Sequence, residues 1–332
     1  MYPLRFEPIF RRYLWGGRRL ATELEKPIGQ GVCAESWELV DRVEENSVVA
    51  FGDYAGKTLH DLISDQGSDL LGKRLNDQIQ NADLPDRLRG RFPLLLKFLD
   101  ANKTLSVQVH PDDRAGLQKE IPDLGKTEAW YVVDAAPGSK IYCGLKSGVE
   151  RADLAEAVRA GRTEDVIHAF EAKTGDCVFV PAGTVHAIGE GLLIAEIQQS
   201  SDTTYRLFDW NRVDADGNAR ELHIEEALSV TNYQLGPVGP QTLPRVAGTQ
   251  PQTLVDCEKF QIHRRRISNE TLRLPLQGEC CVLMVVGGTL QIRGEPSGQS
   301  LGRGQTVLLP ASLGAVELSG GSQTELLEIR IP

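Results

Sequence analysis

Polar and apolar positions along the chain alternate with two different periods. In "SVQVHPDD" (106–113), Ser106, Gln108 and His110 are interleaved with Val107 and Val109. That period of two sends three polar groups to one face of a strand and two valines to the other. "SWELV" and "SVVAFG" also read as strands, and the dense apolar run "FPLLLKFLDA" as a buried one. Residues 57–90 instead carry leucines at helical spacing, with a glycine break near 67. Beyond "SVQVHPDD" the pattern predicts a short helix in "DDRAGLQKE", then paired strands "EAWYVVDA" and "KIYCGL" joined at Pro137-Gly138. Residues 151–172 read as a helix interrupted at Gly161, which places His168 in a helical segment. "DCVFVPAG" and "LLIAEIQQSS" return to strand. The stretch 234–253, rich in Pro, Gly and Thr and without periodicity, reads as a linker, and strand-like segments fill the rest.

A repeat spans that linker. "GDCVFVPAGTVHA" (175–187) aligns without gaps on "GQTVLLPASLGAV" (304–316), matching Gly175, Val178, Pro181 and Ala182 to Gly304, Val307, Pro310 and Ala311. Upstream, "EAWYVVDAAPGSKIYCG" resembles "ECCVLMVVGGTLQIRG". The order predicts two related β units. They differ in chemistry: Ala315 stands where the first copy has His186, and nothing like Gln108-x-His110 precedes Glu279 in the second.

Composition narrows the class. A chain of 332 residues suggests about two domains, and 41% apolar with 25% charged residues is ordinary for a globular protein. The net charge of -10 argues against a nucleic-acid partner, which favours a basic face, while leaving room for a local basic pocket. The N-terminal stretch lacks the apolar core of a signal peptide, and no segment approaches the roughly 20 apolar residues that span a bilayer. Six cysteines at 33, 143, 177, 257, 280 and 281 form no C-x-x-C and read as free thiols in a reducing compartment, so the expected location is cytoplasmic. Nothing in the sequence sets an oligomeric state.

The candidate chemistry lies in the first copy of the repeat. Gly175 opens a strand, Pro181-x-Gly183 closes it in a tight turn, and His186 follows, aimed inward. With Gln108, His110 and Glu128 it makes two imidazoles and a carboxylate, a set suited to zinc or a similar divalent ion. The Gln108 amide oxygen adds a weak neutral ligand, which leaves the ion able to polarise a substrate oxygen. Each residue taken alone has a plainer reading. A buried histidine is usually a satisfied core residue, Gln108 can bond a strand neighbour, and Glu128 can pair with Lys126. Lys126 and Arg206 can be solvated charges, and Asp202 can cap the turn in "SSDTT" or act as a catalytic group. His60, His168, His223 and His263 have no partners at meaningful spacing and are assigned no role.

The motif Gly175, Pro181, Gly183, His186 meets the second cupin motif, G-x5-P-x-G-x2-H, in full. Where cupins open their first motif with His-x-His, this chain has Gln108-x-His110-Pro111, and in that it resembles the type I mannose-6-phosphate isomerases, particularly the shorter bacterial form. The resemblance runs through "WGG" (15–17), "ESWELV" (35–40), "FPLLLKFLDANKTLSVQVHPDD" (92–113), "GKTEAWYVV" (125–133), "VPAGTVHAI" (180–188) and "IAEIQQSSDTTYRLFDWNR" (194–212). Thr127 departs from it, where many relatives have proline. The resemblance implies a mainly β fold. A cupin (double-stranded β-helix, jelly-roll) barrel with helical segments at about 57–90 and 151–172 fills residues 1–233. A linker follows at 234–253, then a smaller, degenerate cupin-like β domain without metal at 254–332. It further implies one zinc per chain on Gln108, His110, Glu128 and His186, with substrate contacts at Ser106 and Lys126 and an active-site arginine at Arg206. The implied activity is interconversion of mannose 6-phosphate and fructose 6-phosphate through an enediol, with Arg206 and Lys126 as the catalytic cations and a hexose phosphate, not a nucleic acid or membrane, as the partner. Two rivals stand beside it: a non-catalytic metal cupin that binds a sugar phosphate, and an iron dioxygenase. A glutamine ligand and a cationic pocket argue against the dioxygenase.

Overall fold

The computed structural model describes residues 1–213, 217–243 and 249–332. The chain divides into two compact units: Met1–Arg12, Arg18–Phe98 and Leu243–Pro332 form one, Tyr13–Gly17 and Leu99–Thr242 the other. The division after Thr242 falls inside the predicted linker, of which 244–248 lie outside the described residues. The part before them is held down rather than loose, since Gln241 exchanges two backbone hydrogen bonds with Cys177.

The unit that includes Leu99–Thr242 is built from two antiparallel sheets. In one, Leu192–Gln199 pairs with Glu128–Ala135, which pairs in turn with Cys177–Val180. The other runs Tyr205–Phe208, Val107–Val109, His186–Ile188, Lys140–Leu145, Ile167–Glu171. The alternation in "SVQVH" is accounted for here. Val107 and Val109 lie in an apolar cluster with Leu154, Val158, Ala227 and Leu228, residues of the helices Arg151–Arg159 and Ile224–Val230. The polar face of the same strand therefore turns the other way, into the barrel. Cupin topology follows from this arrangement: a sheet whose outer face is covered by helices, and an inner face that carries polar groups.

The repeat is real at the level of strand order. Thr324–Arg330, Cys281–Gly287 and Thr306–Leu309 pair in the same sequence as Leu192–Gln199, Glu128–Ala135 and Cys177–Val180. Register corrects the alignment of the upstream segment by two residues. Glu128 pairs with Val180, and Cys281 pairs with Leu309, the residue matched to Val180, so Cys281 rather than Glu279 occupies the place of Glu128. Likewise Gln108 pairs with His186, whereas Pro275 pairs with Ala315. Gln, Glu and His of the first barrel thus become Pro, Cys and Ala in the second. The second barrel's interior is correspondingly apolar, with Ile267, Cys281, Leu283, Val307, Leu309 and Leu326 fully buried together.

Several predicted elements shift. The 57–90 segment forms two helices, Leu59–Leu71 and Lys73–Gln80, and ends there. Thr58 opens the first by a capping box with Asp61, and Gln66 steps out of helical geometry (φ -143°, ψ 35°) beside Gly67, the predicted break. The 151–172 helix stops at Arg159, and Ile167–Glu171 is a strand paired with Lys140–Leu145, so His168 is a strand residue. Gly161 at φ +65° ends the helix, and pairing to an open sheet edge outweighs the helical propensity of "HAFEA". "EAWYVVDA" and "KIYCGL" do turn at Pro137-Gly138 but enter different sheets, because the chain crosses the barrel there. "SVVAFG" makes only isolated bridges, Val48 to Thr58 and Val49 to Phe6.

The motif glycine Gly183 has φ +85°, its N–H donates to the carbonyl of His110 at 2.8 Å, and a Cβ there would lie 3.0 Å from that of Asn232. Gly183→Ala is expected to lower unfolding free energy by about 1–2 kcal/mol, read as an earlier urea midpoint at unchanged slope. An unchanged midpoint would show that the turn tolerates a side chain.

Candidate metal centre

Cross-strand register assembles the site. Arg206 pairs with Gln108, Gln108 with His186, and His186 with Cys143. Directly paired residues share a face, so guanidinium, amide, imidazole and thiol form one row across four strands. His110 follows at the end of the Gln108 strand. Glu128 enters from the opposite sheet, at the start of its strand and fully buried.

Ligand-competent atoms of His110, Glu128 and His186 all lie within 4.8 Å of one another. Among the described residues this is the one group of three such side chains. Both imidazoles are locked. The Nδ1 of His110 lies 2.9 Å from the carbonyl oxygen of Thr203, and the Nδ1 of His186 lies 2.9 Å from that of Thr184. A carbonyl only accepts, so each Nδ1 carries the proton and each Nε2 keeps its lone pair. Those lone pairs face Glu128: Nε2 of His110 is 3.6 Å from Oε2, and Nε2 of His186 is 3.4 Å from Oε1. Burial first, then the Lys126 charge, pushes His186 down to about 3, so its ring is neutral near pH 7. The edge of the Trp130 ring packs against it at 5.2 Å between centroids.

Such a donor set fits a divalent cation. Oriented neutral imidazoles backed by carbonyls, with a carboxylate between them, are the usual surroundings of zinc and its neighbours. A positive group already stands among them: Lys126 Nζ lies 2.8 Å from Glu128 Oε2 and 2.9 Å from His110 Nε2, an ammonium in the place a cation would take. The Gln108 amide nitrogen is 3.2 Å from His186 Nε2. Turning that amide over presents its oxygen, a metal donor, to the same point.

The remaining predicted residues also converge. Arg206 donates from Nε to Ser106 Oγ at 3.1 Å and from a terminal nitrogen to the Glu221 carbonyl at 2.9 Å. Burial, then the neighbouring Arg220 charge, lowers the basicity of Arg206 below its usual value. Asp202 keeps an exposed side chain, while its backbone N–H donates to Asp123. Thr127 uses a bond that proline lacks, from its N–H to Gln199 Oε1 at 3.0 Å. Four contributors went unread in the sequence. His223, assigned no role, accepts the Arg206 N–H at its Nδ1 (3.3 Å). Thr184 and Thr203 act through main-chain carbonyls, which leave no side-chain signature. Cys143, a buried free thiol beside His186, could have been found only from strand register.

Residues 4–129 match the phosphomannose isomerase type I catalytic domain. The chain is 34% identical over 322 residues to mannose-6-phosphate isomerase ManA of Bacillus subtilis (strain 168), covering 96% of each. It is 32% identical over 318 residues to the mannose-6-phosphate isomerase of Streptococcus mutans, covering 96% of this chain and 95% of that one. The crystal structure of mannose 6-phosphate isomerase from Bacillus subtilis superimposes over 100% of both chains with a TM-score of 0.84 at 28% identity. With kinship along nearly its whole length and the same cupin architecture, the chain belongs to the type I mannose-6-phosphate isomerase family.

Proposed function

We propose that this chain interconverts D-mannose 6-phosphate and D-fructose 6-phosphate, using one zinc ion held by Gln108, His110, Glu128 and His186. The observation that carries the reading is the convergence of two tautomer-locked imidazoles and a carboxylate within 4.8 Å, in the row that also holds Arg206. The names of the relatives support the substrate. The bound metal supplies a Lewis acid for a substrate oxygen.

The protein's own groups do the rest. Isomerisation moves a proton between C2 and C1 through an enediol, and negative charge gathers on the oxygens as it forms. Lys126 and Arg206 are the cationic arms: one offsets that charge, the other grips the phosphate. The Ser106 hydroxyl and the Glu221 carbonyl hold the Arg206 fork in place, so its remaining N–H groups are pre-aimed. The second barrel, with Pro275, Cys281 and Ala315 at the equivalent positions, serves as a structural domain without metal. All six cysteines are free thiols, the state a reducing compartment maintains, which supports a cytoplasmic location.

Chelation is expected to abolish isomerisation in a coupled assay, and added zinc to restore it. His110→Ala and His186→Ala should each strip the ion, since each removes one of about four ligands; near-stoichiometric zinc in the double variant would place the site elsewhere. Titration of the chelated wild type should saturate at one zinc per chain, and two equivalent tight sites would refute the metal-free reading of the second barrel. Arg206→Lys and Arg206→Ala should fold and keep metal while losing roughly 2–5 kcal/mol of substrate or transition-state stabilisation, about 30-fold to several thousand-fold in rate constant. A fall in kcat assigns Arg206 to the transition state, and a rise in KM assigns it to the phosphate. Wild-type kcat/KM in Arg206→Ala would remove it from the site.

A further inference from the structure

Asp123 is a buried carboxylate outside the ligand set. Its Oδ2 accepts from Ser201 Oγ at 3.2 Å, from the Asp202 N–H at 3.1 Å and from Thr203 Oγ1 at 3.1 Å, while Oδ1 accepts from the Leu124 N–H at 2.9 Å. Lys119 Nζ donates to Thr203 Oγ1 at 2.7 Å, and Thr203 N–H to Ser201 Oγ at 3.3 Å. Three consecutive residues, 201–203, are thus wrapped around one acceptor. The third presents its carbonyl to His110 Nδ1 at 2.9 Å.

From this chain of contacts we infer that Asp123 is a positioning residue for His110: it sets the loop whose Thr203 carbonyl fixes the tautomer and the aim of that imidazole. An ionised carboxylate only accepts, which suits a point where hydroxyl and backbone donors meet. An amide in its place turns one of its two atoms into a donor facing other donors, and the loop has to give. The same anchor sets the backbone of Asp202 and the entry into the strand of Arg206. Partners that orient a ligating histidine are worth about 10–100-fold in metal affinity.

The inference rests on His110 being a metal ligand, and the test separates the two. Zinc affinity is measured by chelator competition well below the melting temperature, for wild type, Asp123→Asn, Ser201→Ala and the control Asp176→Asn. Asp176 is likewise buried in the same unit and its carboxylate accepts from the Lys173 N–H at 2.9 Å and Thr242 Oγ1 at 2.6 Å, neither of them a residue that holds a ligand. Asp123→Asn is expected to bind zinc about 10–100-fold more weakly, Ser201→Ala about 2–10-fold more weakly, and Asp176→Asn with wild-type affinity despite an earlier thermal transition. Wild-type affinity in Asp123→Asn, or an equal loss in Asp176→Asn, overturns the inference. If Asp123→Asn does not fold, Ser201→Ala decides: a weaker site supports the assignment and an unchanged one overturns it. Failure of the wild type to bind zinc would be a different result, and would sink the metal reading itself.

Discussion

A slip of one residue between Val107–Val109 and its neighbours would turn both valines into the barrel and send Gln108 out beneath the helices. Everything chemical in this protein depends on that slip not occurring. Register sets the row Arg206, Gln108, His186, Cys143, and the row decides which groups meet Glu128 from the opposite sheet. Two things pin it. Val107 and Val109 belong to an apolar cluster with the two covering helices, and moving them inward would bury the Gln108 amide against that cluster in their place. The tight turn at Pro181–Gly183 fixes the other side, where Gly183 hydrogen-bonds the backbone of His110.

Holding such a row carries a cost that the rest of the barrel offsets. Two imidazoles, a carboxylate and an ammonium sit together, all but fully buried, and buried charge is tolerated only when it is paired. The pairing is local: lysine on glutamate, imidazole Nδ1 on main-chain carbonyl. The second barrel shows the alternative. With the same strand order, it has Pro275, Cys281 and Ala315 at the places of Gln108, Glu128 and His186, and its interior is filled mostly with leucine, isoleucine and valine. An apolar core has no such pairing to maintain.

The polar anchoring extends beyond the ligands. Thr203 and Thr184 act through carbonyls, and the loop that carries Thr203 is gathered by Asp123. Arg206 is held in the same manner, by Ser106 and by the Glu221 carbonyl. In each case the group that would meet a metal or a substrate is oriented by a neighbouring hydrogen-bond partner. Precision in a site of this kind comes from those supports.

Much of this was legible in the sequence. The alternation in "SVQVH" announced a polar interior, the Pro181-x-Gly183 turn placed His186, and long motifs in their order named the family. These signals survive in one dimension because they depend on period and local turn chemistry. What distance in sequence conceals was not legible. Helical composition in 166–172 gave way to a strand because an edge was open to pair with it; His223 reached Arg206 across 17 residues; and two main-chain carbonyls chose the histidine tautomers. The match of Glu279 to Glu128 failed for the same reason, since identity favoured one glutamate while strand register put Cys281 there. Sequence by itself determined which residues could bind a cation and that the protein is a β barrel of this family. Tertiary structure alone decided which atoms face one another, because pairing register and backbone hydrogen bonds are set by contacts between segments that no local pattern encodes.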